Sequence, residues 1–281
     1  MARKAACAAA GLAAGLLLGG AALWGAQGRL IFEPVRAAHA SAPAAAVEVR
    51  IPVQSQRRLP ETLDGAWLQG GNGKTVLYLH GNDDDIDLSI GEVTPLRELG
   101  YSVLLVDYRG FGRSDGAFPS EATVYEDAEA AWRYLVRERG VRPADLYIYG
   151  HSLGGAIAIE LARRHPEAAG LVIESSFTSI SDMARLQKRY ALLPVDLFLN
   201  QRFESLRKVS ALRLPVLFLH GTEDEVVPYE MGQRLFAASG PAARFVPIAG
   251  GRHDHDAAGA AVIRAALQEF VAGRTLTASA R

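Results

Sequence analysis

The sequence predicts an α/β fold, a mostly parallel sheet with helices on both faces, and three observations carry that expectation. Short apolar runs of strand length alternate with helix-period segments through most of the chain. The most continuous runs, among them Thr75–Leu79, Ser102–Val106 and Val216–Leu219, have the unbroken apolar character of strands buried on both faces. One run, Leu146–Tyr149, turns through Gly150-His151-Ser152-Leu153-Gly154 straight into a small-residue helix pattern.

In chain order, Val47–Val53 and Ala66–Gln69 read as opening strands, expected to be antiparallel. Leu171–Ile173 and Arg244–Pro247 complete the strand candidates. Among the helices, Glu121–Arg139 is the clearest. Val124, Ala128, Trp132, Leu135 and Val136 share one face, and Gly140 ends it. Leu153–His165, Tyr229–Ala238 and Ala257–Ala272 follow the same logic. Ser176–Arg213 breaks the alternation: it is amphipathic, has no convincing strand, and is too long for a simple crossover. It is expected to cap the carboxyl edge of the sheet, where parallel α/β folds keep their sites.

Composition narrows the function. With 49% hydrophobic residues in 281, the chain can bury one sizeable core. Lys and Arg number 30 against 31 acidic residues, without a basic run, which argues against nucleic acid as a partner. The single cysteine, Cys7, lies in the leader. The folded part is therefore expected to lack a disulfide, a thiol nucleophile and a cysteine metal site.

Arg3 and Lys4 precede an uncharged stretch, Ala5–Ala26. At ~1.5 Å per residue it is long enough to cross a hydrocarbon core. A retained signal anchor over residues 1–28 is expected, with Trp24 at the interface, Arg29 beyond it, and the folded domain outside the cytoplasm. The competing reading is secretion after cleavage. Leu23-Trp24-Gly25-Ala26 is a poor cleavage site, and Ala38-His39-Ala40 lies well downstream of the apolar core. Residues 29–46 are expected to be a linker, 47–275 one domain with the cap inserted at 176–213, and 276–281 a flexible tail.

The chemistry-bearing residues start with Ser152. A sharp strand-to-helix turn needs glycine neighbours, and the helix behind it offers backbone N–H groups to a developing oxyanion. A serine hydroxyl needs a base. His253 in "GGRHDHD" follows the last strand, with His255 as its competitor. The acid should follow a strand between the two, and "FLHGTEDEVVP" supplies Asp224, flanked by Glu223 and Glu225. Glu174, ending the preceding strand, is a weaker rival. After Leu79, His80-Gly81-Asn82 ends a strand with a glycine that allows close backbone approach. The N–H of Asn82, or that of Asp83, would join Leu153 as an oxyanion hole worth ~3 kcal/mol per donor. His80 and His220 read as packing histidines, since no ligand spacing recurs.

These residues resemble the α/β-hydrolase superfamily from about Val47 to Ala272. More narrowly they are similar to its membrane-anchored, bud-emergence-type branch, and to hydrolases of the monoglyceride-lipase and serine-aminopeptidase kind. The likeness rests on "GRLIFEP", "LHGN", "DYRGFGRSDG", "GHSLGG", "ESSFTSI", "SLRKVSALRLPVLFLHGTEDEVVP" and "GGRHDHD". The resemblance implies an eight-stranded sheet, a helical cap, and a triad of Ser152, Asp224 and His253 acting on an acyl ester or thioester without a cofactor. The same triad in a peptidase or amidase, or a pocket used only for binding, are the alternatives. One feature departs from the relatives: Asp83, Asp84, Asp85 and Asp87 follow "HGN". They are expected to form a solvated acidic helix start. The sharper alternatives are a preference for neutral or cationic substrates, or a weakly bound divalent ion.

Overall fold

A computed structural model describes residues 24–25, 27–36, 46–53, 60–187, 195–254 and 257–273. Eight strands form one sheet: β1 (Val47–Val53), β2 (Glu61–Leu68), β3 (Thr75–Leu79), β4 (Ser102–Val106), β5 (Leu146–His151), β6 (Gly170–Glu174), β7 (Val216–Gly221) and β8 (Ala243–Ile248). Their order across the sheet is β1-β2-β4-β3-β5-β6-β7-β8. β1, β2 and β4 pair antiparallel, and every later pairing is parallel.

Strand periodicity explains the two-sided core. Leu77, Leu79, Leu104, Val106 and Ile148 enter one apolar cluster, while Val76, Tyr78, Val103, Leu105 and Tyr149 enter another on the opposite face. The α-helices that follow β3 are α1 (Ile86–Ser89), α2 (Thr94–Glu98), α3 (Glu121–Arg133), α4 (Leu153–Arg164), α5 (Ile180–Leu186), α6 (Val195–Phe198), α7 (Ser205–Val209), α8 (Tyr229–Ala237) and α9 (Ala257–Val271). α3 begins at a Ser120–Thr123 capping box and runs into a π-helical turn, Tyr134–Glu138, where an unbroken α-helix to Arg139 was expected. α5, α6 and α7 lie in the stretch expected to form the cap, which holds none of the eight strands. Residues 188–194 of that stretch lie outside the described residues.

The first part of the expected linker is instead packed structure. Residues 27–31 are helical, and Phe32 is buried against Phe203 at 6.0 Å between ring centroids. Asn82 Nδ2 donates to the Ile31 carbonyl at 2.8 Å, Glu33 N donates to Asn82 Oδ1, and Gly112 N donates to Val35 O. "GRLIFEP" is therefore a strap across the domain, held by polar contacts that leave no apolar period in the sequence. Residues 1–23 and 37–45 lie outside the described residues, as does the tail expected at 276–281. No helix among the described residues is long and apolar enough to cross a membrane.

"DYRGFGRSDG" supports the loop after β3. Asp107 Oδ1 accepts from Ile86 N at 2.9 Å and fixes the start of α1. Arg109 is buried and binds Asp127 through Nε at 2.5 Å and Glu61 through Nη1 at 2.9 Å. Arg109→Met would take from the buried Asp127 carboxylate the guanidinium that binds it. It is expected to cost about 3–5 kcal/mol, read as a lower urea midpoint. A change within ~0.5 kcal/mol would mean that the pair can be dispensed with.

Candidate active site

The register of the parallel strands gathers the relevant loops at one edge. Leu79 lies opposite Gly150, His151 opposite Glu174, and Gly221 opposite Ile248. The segments after β3, β5, β7 and β8 therefore start side by side.

Ser152 stands at a sharp elbow between β5 and α4, with φ 52° and ψ −117°. A non-glycine residue there is strained by ~1–3 kcal/mol, so the surroundings must hold it. Its N–H donates to Glu174 O at 2.9 Å, and its carbonyl accepts from Ser176 Oγ at 2.8 Å. The glycines answer to close approach. A Cβ on Gly154 would lie 1.9 Å from the Leu79 carbonyl oxygen, and one on Gly150 would lie 2.2 Å from Gly154 O. Although Ser152 is the N-cap of α4, its hydroxyl makes no capping bond. It is left for His253, whose Nε2 lies 3.1 Å away.

On its other side, His253 Nδ1 lies 3.0 and 2.9 Å from the two oxygens of Asp224. The Asp224 side chain is wholly buried, and its Oδ1 also accepts from Val226 N at 2.9 Å and Val227 N at 2.8 Å. Burial pushes this carboxyl up, but His220, His253 and the Val227 amide together hold it well below the usual carboxylate range. It is therefore ionised at neutral pH. A depressed folded pKa contributes stability that is present above the ordinary aspartate value and lost as the pH falls.

The rivals fall elsewhere. Tyr149 OH donates to Glu174, Glu225 pairs with Arg252, and Glu223 is exposed. His255 lies outside the described residues. Of the histidines read as packing residues, His80 is one: burial lowers its pKa to about 4, and its ring packs on Tyr108 at 4.4 Å. His220 does more. Its Nε2 lies 2.9 Å from Val227 O and 3.3 Å from Asp224 Oδ2, so it steadies the acid. The signal was its place four residues before Asp224, at a strand end.

The acidic loop is only partly solvated. Asp83 is exposed, whereas Asp85 is buried and caps α1 by accepting from Leu88 N at 3.0 Å. Asp87 lies 3.7 Å from Arg113. Asp84 is half-buried, and burial together with Glu92 raises its pKa to about 6. Gly81 brings this loop against the elbow: a Cβ on it would lie 3.7 Å from Ser152 Cβ. A hydroxyl bonded to an imidazole, itself bonded to an ionised carboxylate, can lose its proton as it attacks a carbonyl.

This sheet order and the strained serine elbow are those of the α/β-hydrolase fold, and the known proteins that the chain is similar to share it. A family model described as "Serine aminopeptidase, S33" matches residues 71–207. An uncharacterized protein of Mycobacterium tuberculosis is 34% identical over 258 residues, covering 89% of this chain and 88% of its own. The lysophosphatidylserine lipase ABHD12 of Danio rerio is 35% identical over 201 residues, covering 62% of this chain and 51% of its own. Among solved structures, an esterase of Pyrococcus furiosus superposes with a TM-score of 0.69 at 21% identity, over 86% of this chain and 99% of its own. That last likeness speaks for the fold.

Proposed function

We propose that this chain is a serine hydrolase of acyl esters or thioesters, of the membrane-anchored, bud-emergence-type branch, tethered outside the cytoplasm by its N-terminal segment. The single observation that carries the reading is the linked series Ser152 Oγ, His253 and Asp224, at 3.1 Å and then 2.9 Å. Ser152 Oγ attacks the acyl carbonyl while His253 Nε2 takes its proton. Asp224 holds the Nδ1–H tautomer and balances the imidazolium. The N–H groups of Asn82 and Leu153 receive the oxyanion. Leu153 is the first residue of α4, where amides lack helical partners. Collapse expels the alcohol or thiol, which takes the proton from His253 and leaves an acyl-enzyme. Water, deprotonated by His253, then releases the acid and restores Ser152. The scheme uses no cofactor.

A lipid-like acyl substrate is favoured by the name of the Danio rerio relative and by the path of the strap. Gln27 is buried and its Oε1 accepts from Asn200 N at 2.8 Å, while Asn200 Nδ2 donates to Trp24 O at 3.0 Å. An anchor preceding Trp24 would bring the bilayer close to the cap. The second reading, amide cleavage by the same triad, is favoured by the description of the family model.

One labelling experiment tests both function and location. A fluorophosphonate probe is expected to mark a full-length band in washed membranes and to leave Ser152→Ala unmarked, because an unactivated serine does not react. Absence of labelling on folded protein would leave a noncatalytic pocket as the better account. A shortened soluble band would mean a cleaved leader. Faster turnover of aminoacyl anilides than of p-nitrophenyl esters would move the activity to amides.

A further inference from the structure

His151 has no part in the proposed reaction, yet it is buried directly beside the Ser152–His253 pair. It is the last residue of β5, 5% exposed, with its ring 5.0 Å from that of His253. Nε2 lies 3.3 Å from the His253 carbonyl oxygen. A carbonyl only accepts, so Nε2 carries the proton, and the neutral ring keeps a lone pair on Nδ1. Nδ1 is buried and has no hydrogen-bond partner among the described residues, which is uncommon for a buried ring nitrogen.

That nitrogen is beside the acidic loop. A Cβ on Gly81, three residues before Asp84, would lie 3.5 Å from it. One ring nitrogen of His151 and one carboxylate oxygen each from Asp84 and Glu92 lie within 4.8 Å of one another. Since Nε2 is taken by the His253 carbonyl, Nδ1 is the donor left to a ligand. Both carboxylates are steadied from behind: Ser89 Oγ donates to Asp84 Oδ2 at 3.0 Å, and the buried Tyr78 hydroxyl donates to Glu92 Oε2. Neither is paired with a lysine or arginine among the described residues. Asp84 is half-buried and Glu92 is exposed, so the cluster opens to solvent.

We propose that Asp84, Glu92 and His151 Nδ1 bind one divalent cation of the zinc class, with a water completing the shell. Three features define this site. The donor set of one imidazole and two carboxylates suits Zn2+, Co2+ or Mn2+ better than an all-oxygen site for Ca2+ or Mg2+. The span is somewhat wider than the ~3.4 Å edge of a tetrahedron with ~2.1 Å bonds, and small rotations of two carboxylates close it. Each ligand also has the outer partner that metal ligands have, in the His253 carbonyl, Ser89 and Tyr78. A cation here ties the loop after β3 to the backbone of His253. It also neutralises acidic groups beside the elbow.

The test is binding, independent of turnover. Chelator-treated, untagged full-length protein in detergent is titrated with Zn2+ by calorimetry and with Co2+ by visible d–d absorption. One equivalent is expected to bind, and saturating Zn2+ is expected to raise the melting temperature by about 5 °C. Asp84→Asn and Glu92→Gln should each weaken binding at least about tenfold, with melting in chelator establishing that the variants are folded. Asp87→Asn, a change to an acid that faces Arg113, should bind as the parent does. His253→Gln should also retain the ion, because its ring is not a ligand. Absence of Zn2+ and Co2+ binding in the folded parent would overturn the proposal. So would Asp84→Asn and Glu92→Gln binding as the parent does, or loss of the ion in His253→Gln alone, which would place it on the His253–Asp224 pair.

Discussion

Replacing Ser152 with alanine is expected to lower turnover of a p-nitrophenyl ester by about a million-fold while leaving folding stability within ~0.5 kcal/mol. The two readouts separate because alanine keeps the Cβ and the backbone. The elbow is held by Ser152 N–H on Glu174 O and by Ser176 on the Ser152 carbonyl, and neither contact involves the hydroxyl. What disappears is the oxygen 3.1 Å from His253 Nε2. The amides assigned to the oxyanion hole remain, so slow hydrolysis above the rate in water should survive. Initial rates on freshly purified enzyme, with chemical denaturation alongside, provide the check. A loss of only tenfold would mean that water, not this serine, attacks the substrate.

Legibility in the sequence followed how locally each feature is determined. The inner parallel strands were readable because burial on both faces produces continuous apolar runs. β2 was only half readable, as Ala66–Gln69, because Glu61 and Asp64 interrupt the pattern. Both are buried through distant partners: Glu61 meets Arg109, and Asp64 lies 2.8 Å from Arg113 Nη2. No local rule marks an ion pair that closes across the fold. The strap at residues 29–36 escaped for a related reason, since Asn82 and Gly112 grip its backbone and its own side chains carry little periodicity.

The candidate site divides the same way. That Ser152, Asp224 and His253 would meet was legible because each follows a strand end, and a parallel sheet puts strand ends on one edge. His151 and His220 were not. Each also sits at a strand end, but its role depends on which ring nitrogen meets which carbonyl, and that is fixed only by three-dimensional register. The acidic run after "HGN" shows the limit most clearly. Four aspartates that look alike in sequence become one exposed group, one half-buried group, one helix cap and one partner of Arg113.

Asp224→Asn should lower kcat by about ten-thousand-fold with little change in KM. The geometry around the acid says why a nearly isosteric change is so severe. Oδ1 accepts from two backbone amides, Val226 and Val227, so in the variant that position must remain an oxygen. The amide nitrogen is then forced to the Oδ2 position, 2.9 Å from His253 Nδ1 and 3.3 Å from His220 Nε2. There it presents a donor to two nitrogens that had themselves been donating. His253 can relieve the conflict by moving its proton to Nε2, but an Nε2–H cannot accept the Ser152 proton. Val227 O still holds His220, which cannot turn away without leaving a buried N–H unpaired. The variant should also label slowly with fluorophosphonate and melt at lower temperature. Near-normal kcat in folded Asp224→Asn would transfer the orienting role to another group, and Glu225, whose Oε2 lies 3.4 Å from His253 N, would be the first to test.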